Sequence, residues 1–185
     1  MKTNPLKIFK TLLCGGALLS LSCSLATPGE LPTSVNQASP VEWNSAANST
    51  SIGPRELEDV TRKSVAKDYS EAWQALTTAL AQNHASLLDN YFVGYAKDRF
   101  THTIAEQERT GVQTRLIDRG HKVDVLFYSP DGMSILLRDT AKFDMQISEG
   151  GKQIAEKPVT LHYLAVLTPT EVRWKVRVLQ AVPSD

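Results

Sequence analysis

The sequence predicts an α+β domain in which N-terminal helices pack on a curved, four- to six-stranded antiparallel sheet. Apolar residues recur every three to five positions between about residues 54 and 111, which is typical of α-helices. From Val112 onward they alternate with polar residues, as in strands with one buried face. Short turn sequences separate the strands and favour antiparallel neighbours. Helices that precede all the strands indicate an α+β layering.

Residues 1–26 have the pattern of a secretory signal peptide. Three lysines precede an uncharged apolar stretch, TLLCGGALLSLSCSL, at residues 11–25. This stretch is shorter than the ~20 residues that a membrane-spanning helix needs. Small residues before the bond between Ala26 and Thr27 predict cleavage there, and hence export to the periplasm or the medium.

Cys23 leaves open an alternative, lipid-anchored form. It follows Ser22 and Leu21, although bacterial lipoprotein signals usually place the leucine one position earlier. Cys14 and Cys23 are the only cysteines, so cleavage after Ala26 leaves none for a disulfide. The same cleavage changes the balance from twenty basic and twenty acidic residues to seventeen and twenty, which disfavours a nucleic-acid partner.

Residues 27–53 are rich in Ser, Thr, Asn, Pro and Gly and have no apolar period, so we interpret them as a flexible linker. Residues 54–185 form the predicted domain. Pro54 is suited to the start of a first helix, and Asn83 to its end. One apolar stripe runs along this helix, and Tyr69 and Trp73 on it are expected in the core; its members are Leu57, Val60, Val65, Tyr69, Ala72, Trp73, Leu76 and Leu80.

A second helix is expected from near Asp89 to Gly111, because Phe92, Ala96, Phe100 and Ile104 recur at intervals of four. Gly94 disfavours its first turn and allows a later start. Four or five strands follow. In the last one, Val172, Trp174, Val176 and Val178 alternate with Arg173, Lys175 and Arg177, and we interpret the basic row as an exposed face.

This order of elements resembles the nuclear-transport-factor-2-like superfamily, the cone-shaped fold of SnoaL-like cyclases, ketosteroid isomerases and scytalone dehydratases. The resemblance covers about residues 54–182. It rests on the long helix with Trp73, the segment LLDNYFVGYAKDRF at residues 87–100, and the closing strand VRWKVRVLQA. It implies a cone whose open end is a pocket, and a homodimer formed through the outer face of the sheet. Exported bacterial proteins with this domain are the most similar in layout.

In enzymes with this fold, an Asp or His in the apolar pocket moves a proton. The candidates here are Asp139, His102 and His162. Asp124 is a further candidate, although it alternates with Val123 along its strand and so is expected on the other face of the sheet. The competing interpretation is that each lies on a solvated face. The catalytic sets of the known enzymes do not align with this chain residue by residue, so none is transferred.

Tyr91, Tyr95 and Phe100 are candidates to line the pocket, with core or rim packing as the alternative. The four histidines have no paired spacing, and no nucleotide or cofactor motif is present, so the sequence predicts neither metal nor cofactor.

The leading hypothesis is an exported, non-catalytic domain that binds a small apolar ligand in the cone or a protein partner. One alternative is a small cofactor-independent isomerase, dehydratase or cyclase that uses a pocket Asp or His. Another is a subunit for assembly of the cell envelope.

Overall fold

The computed structural model describes residues 53–183. Expectations for residues 1–52 concern the signal peptide, the Ala26–Thr27 cleavage, Cys23 lipidation and the linker, and they lie outside the described residues. The described chain contains helix α1 (Asp59–Gln82), a short 3-10 helix (Ala85–Leu88) and helix α2 (Gly94–Thr110). Strands β1 (Val112–Tyr128), β2 (Ile135–Glu149), β3 (Lys152–Pro169) and β4 (Trp174–Val182) follow.

The four strands form one antiparallel sheet in the order β1-β2-β3-β4. Each pair of adjacent strands contains at least one register shift. The β1–β2 pair contains two, one between Asp118 and Gly120 and one between Val125 and Phe127. Such bulges bend a strand and increase its twist, so long strands can curve around a helix. The predicted α+β class is therefore confirmed, with helices on a four-stranded antiparallel sheet.

The core lies between α1 and the inner face of the sheet. Alternate residues of β2 are buried, as an amphipathic strand requires: Ile135, Leu137, Asp139, Ala141, Phe143 and Met145. The buried stripe of α1 faces them with Val65, Tyr69, Ala72, Trp73, Leu76, Ala79 and Leu80. Each large apolar side chain buried here contributes about 1.5–3 kcal/mol.

The first helix begins later than its sequence predicts. Residues before Asp59 are not helical, because the N–H of Arg55 bonds to the carbonyl of Tyr128 (3.0 Å) instead of entering a helix. Val60, expected on the apolar stripe, is 80% exposed. At the other end, Asn83 adopts the left-handed conformation and ends α1 as predicted.

The second helix also begins later, at Gly94. The preceding residues are used differently: Val93 donates to the carbonyl of Val176 (3.0 Å), and Val176 donates to that of Tyr91 (2.8 Å). This segment therefore covers the outer edge of β4. Gly94 has φ +52°, a backbone conformation that glycine adopts at no steric cost.

The last strand keeps its predicted phase only in part. Residue 177 is an extra residue opposite the Val166–Leu167 step, so the buried face passes from Trp174 and Val176 to Leu179, and Val178 is only half-buried. The basic row on this strand is also not simply solvated. Arg173 binds Glu71 of α1 (3.1 Å), and Lys175 donates to the carbonyl of Asp89 (2.9 Å).

Candidate functional site

A carboxylate lies in the centre of the sheet. Asp139 falls on the inner face of β2 because it is in phase with Ile135 and Leu137, and its side chain is 0% exposed. In the sheet register it lies between Val123 of β1 and Tyr163 of β3. A buried carboxylate is costly unless it is hydrogen-bonded or paired with a cation, so its partners define the site.

Two side chains bind the same oxygen of Asp139. The Tyr69 hydroxyl on α1 donates to Oδ2 at 2.9 Å, and Nδ1 of His121 on β1 lies 2.8 Å from that atom. The other oxygen, Oδ1, is buried and has no hydrogen-bond partner among residues 53–183. The carboxylate therefore depends on Tyr69 and His121, which come from two different elements.

His121 lies at the boundary between this buried pair and solvent. Its side chain is 19% exposed, and its Nε2 lies 3.6 Å from the Asp118 carboxylate. The ring centroid is 4.7 Å from that of Trp73, which in turn lies 5.3 Å from the Tyr163 ring. The imidazole is thus oriented by a carboxylate on one side and packed against an indole.

The surroundings set the protonation of this cluster. Burial acts to lower the pKa of His121, but the hydrogen bond and charge of Asp139, together with the charge of Asp118, outweigh it and raise that pKa. Burial, followed by the charge of Asp139, raises the pKa of Tyr69 well above its ordinary value. Burial likewise raises the pKa of Tyr163. Tyr69 is therefore held as a neutral donor, and the contacts with Asp139 and Asp118 favour the protonated, charged form of His121.

A cavity of about 520 Å³ lies between the first turns of α1 and strands β1 and β2. Tyr69, Trp73 and His121 line it, while Asp139 lies behind them. The remaining wall is mainly apolar, with a few polar or charged residues: Leu57, Arg62, Val65, Ala66, Ser70, Val123, Asp124, Val125 and Leu137. Its size and composition are those of pockets that hold small molecules.

The candidate acid–base residues are not brought together. Asp139 is at the site, but His102 is exposed on α2. His162 lies on the other face of the sheet, where its Nδ1 contacts the Thr140 hydroxyl at 3.1 Å. Asp124 borders the cavity and lies 3.8 Å from Arg138.

The candidate pocket aromatics lie elsewhere. None of Tyr91, Tyr95 and Phe100 lines the cavity beside His121. Tyr95 is 59% exposed, and Phe100 packs edge-on against Phe92 at 5.7 Å. Tyr91 borders a shallower hollow and lies beneath the Arg173 guanidinium at 4.5 Å.

Sequence reasoning missed His121, which it treated as one of four scattered histidines. A signal was available. It is the alternation of His121 with Val123 and Val125, whereas its position beside Asp139 depends on the bulge between Val125 and Phe127, which only the structure shows. His121 is in phase with Val123, so both reach the inner face. Tyr69 was assigned to the core, where it is found, but its hydroxyl also binds Asp139.

Two further features are absent from residues 53–183. No cluster of three or more His, Cys, Asp or Glu side chains there could hold a metal ion. No helix in that range is both long enough and apolar enough to cross a bilayer.

No protein-family model matches the chain, and no curated protein matches it. Solved structures do. The intermembrane-space region of the chloroplast protein ARC6 superimposes with a TM-score of 0.60 at 17% identity, over 70% of this chain and 100% of that one. A candidate dehydratase of the NTF2-like family from Streptomyces avermitilis has a TM-score of 0.48 at 11% identity, over 66% of this chain and 98% of that one.

A candidate scytalone dehydratase from Novosphingobium aromaticivorans has a TM-score of 0.46 at 14% identity, over 68% of this chain and 85% of that one. At these identities a likeness concerns the fold alone, and function has to be argued from the site. Residues 53–183 therefore share an α+β fold, helices on an open four-stranded antiparallel sheet, with the intermembrane-space region of ARC6.

Proposed function

We propose that this chain is an extracytoplasmic binding domain that holds a small, largely apolar molecule in the cavity between α1 and strands β1 and β2. The observation that carries the proposal is the cavity itself, about 520 Å³ in volume, with apolar walls and a single histidine that a buried carboxylate orients. Ligand pockets combine such walls with a few fixed polar groups.

The parts of the site have separate roles in binding. Leu57, Val65, Val123 and Val125 supply apolar surface, and the Trp73 ring supplies a flat aromatic wall. His121 supplies the polar contact. Because Asp139 accepts at Nδ1, only Nε2 remains to face a ligand, and Asp118 lies near enough to share it. The ligand that fits is therefore apolar along most of its length, with one hydrogen-bonding group at the His121 end.

The extracytoplasmic location is part of the proposal. It is supported by the basic and apolar pattern of residues 1–26. The likeness to a region of the chloroplast intermembrane space agrees with it. Intact mass measurement of the protein from an export-competent host tests it. A chain starting at Thr27 supports a soluble exported form, a chain starting at an acylated Cys23 supports an anchored one, and an intact Met1 contradicts both.

Binding is tested by native mass spectrometry of the purified full chain and by titration with the apolar probe 1-anilinonaphthalene-8-sulfonate. Ala66 lies at the cavity wall and is exposed, so Ala66→Trp places an indole in the cavity without overpacking the core. The matched control is Val60→Trp on the exposed face of the same helix. We expect Ala66→Trp alone to abolish binding. Equal binding by both variants would place the probe elsewhere.

A second candidate function is proton transfer on the bound molecule, and the His121–Asp139 contact favours it. A carboxylate that fixes the tautomer of a histidine is the arrangement that general acid–base catalysis uses. The variant His121→Asn distinguishes catalysis from binding alone. An enzyme loses turnover of the identified ligand by two or more orders of magnitude while still binding it, whereas a binding domain shows no turnover in either form.

A further inference from the structure

The two edge strands of the sheet differ in how they are protected. Residues 91–93 hydrogen-bond along the outer edge of β4 at Val176. On β1, Arg55 bonds to the carbonyl of Tyr128 at the very end, and no strand of residues 53–183 pairs with the remaining outer edge. Proteins usually cover, shorten or charge such an edge, because its free backbone groups bind other strands.

The part of β1 that residues 53–183 leave unpaired is also apolar near its end. Val123, Val125, Leu126 and Phe127 are each at least 40% exposed. They fall within residues 123–127, interrupted only by Asp124, near the end of a strand of 17 residues. An edge of this kind is a surface for strand pairing.

Backbone N–H and C=O groups of this part of β1 point away from β2, as pairing with another strand requires. The carbonyl of Tyr128 points away from β2, since it accepts from Arg55. Backbone groups alternate in direction along an antiparallel strand, and the bulge between Val125 and Phe127 contains one extra residue. The N–H and C=O groups of Val125, Val123 and His121 therefore also point to the free side.

The charges flanking Val123 identify the partner strand. Lys122 and Asp124 lie on either side of it, in register with Thr140 and Arg138 of β2, which alternate with the buried Asp139; Asp124 also lies 3.8 Å from Arg138. If a second copy of β1 pairs antiparallel about a two-fold axis at Val123, Lys122 lies directly opposite the partner's Asp124. The symmetric contact forms at the same time, so the strand is electrostatically complementary to itself.

We propose that β1 pairs with β1 of a second copy of this chain about a two-fold axis at Val123, joining two four-stranded sheets into one continuous sheet. The proposal does not rest on the ligand-binding function. It differs from a dimer through the outer face of the sheet, which the superfamily resemblance implies. On the inner face, His121 comes to lie opposite the partner's Val125, so the second copy extends the wall of the cavity.

The test is a charge exchange, measured by sedimentation equilibrium of the purified full chain over a micromolar concentration series. Lys122→Asp and Asp124→Lys each place like charges at both symmetric contacts, and we expect each to weaken dimerisation about tenfold or more. The double variant Lys122→Asp with Asp124→Lys restores opposite charges and should restore the dimer.

Lys142→Asp is the matched control, because Lys142 is exposed on the same face of the sheet but lies on β2, away from the edge. It should leave the dimer unchanged. A monomeric wild-type chain overturns the proposal, whether the edge is free or covered by the chain's own N-terminal residues. A dimer that neither single exchange weakens, or that Lys142→Asp weakens equally, places the interface elsewhere and also overturns it.

Discussion

Nδ1 of His121 lies 2.8 Å from Oδ2 of Asp139, and the hydroxyl of Tyr69 lies 2.9 Å from the same oxygen. Strand β1, the neighbouring strand β2 and helix α1 thus meet at one buried oxygen atom, Oδ2 of Asp139. The contact joins the stability of the fold to the charge state of the candidate site, because His121 also lines the cavity.

Asp139→Asn removes the charge that favours the protonated form of His121. Because the hydrogen bond and charge of Asp139 raise the pKa of His121, this substitution should lower that pKa. The unfolding free energy should fall by about 1–3 kcal/mol, since buried donors lose a charged acceptor. NMR titration of the imidazole Cε1–H and urea unfolding measure the two effects. Asp98→Asn, exposed on α2, is the control, and an unchanged His121 titration would contradict the assignment.

Stability should fall as pH rises through the His121 titration. The pKa is raised on folding, so the stabilisation from His121 is complete below the unfolded value of 6.5 and is lost as pH passes the folded value. Urea unfolding of the wild-type chain between pH 6 and pH 9 measures this loss. His121→Gln should flatten the profile over that range, and an equally steep decline in the variant would assign it to another group.

Tyr69→Phe removes one donor to the buried carboxylate while keeping the ring. The expected loss of unfolding free energy is about 1–3 kcal/mol, because Oδ1 of Asp139 already has no partner and Oδ2 then has only His121. Tyr95→Phe on the exposed face of α2 is the control and should change stability by less than about 0.5 kcal/mol. Equal effects of the two variants would show that the hydroxyl contributes nothing.

Asp68→Asn tests how α1 holds the last strand. The buried Asp68 carboxylate accepts from the backbone N–H of Trp174 at 2.8 Å, at the first residue of β4. A bond to a charged acceptor contributes about 1.5–3 kcal/mol, so part of that should be lost. Hydrogen exchange at the Trp174 amide gives the local measurement and should accelerate. Unchanged exchange would mean that β4 is held independently of α1.

Asn83 is suited to two roles, which two substitutions separate. It ends α1 with φ 51°, donates to the carbonyl of Val112 (3.0 Å) and accepts from the buried Gln107 amide (2.7 Å). Asn83→Gly removes the side-chain hydrogen bonds but still allows the left-handed conformation at no steric cost. Asn83→Ala removes the same hydrogen bonds and also disfavours that conformation. Thermal unfolding should show the alanine variant about 1 kcal/mol less stable than the glycine variant. The reverse order would show that backbone strain is unimportant here.

The periodicity of the sequence predicted much of the fold. The errors lie at the starts of the helices, where backbone groups form hydrogen bonds with residues distant in the sequence instead of within the predicted helix. The start of α1 was placed at Pro54, but the N–H of Arg55 binds Tyr128. The start of α2 was placed near Asp89, but residues 91–93 pair with β4. Neither partner is local in sequence, so no local pattern contains the information.

The candidate site was only partly predicted, again because some of its contacts join residues that are distant in the sequence. Asp139 was chosen from strand parity, which is a local property. His121 was not chosen, because its importance depends on a bulge that aligns it beside Asp139. Tyr91, Tyr95 and Phe100 were chosen for their residue type, but none of them lines the cavity beside His121.

The sequence by itself determined the order of helices and strands, the α+β class and the inward phase of Asp139, because these follow from hydrophobic periods of about four and two. Only the tertiary structure decided which side chains meet. The packing of α1 across the sheet brings Tyr69 to Asp139, and the register of β1 brings His121 to the same oxygen. Periodicity specifies which face of an element is buried, whereas the distance between two elements depends on bulges and on backbone hydrogen bonds formed far along the chain.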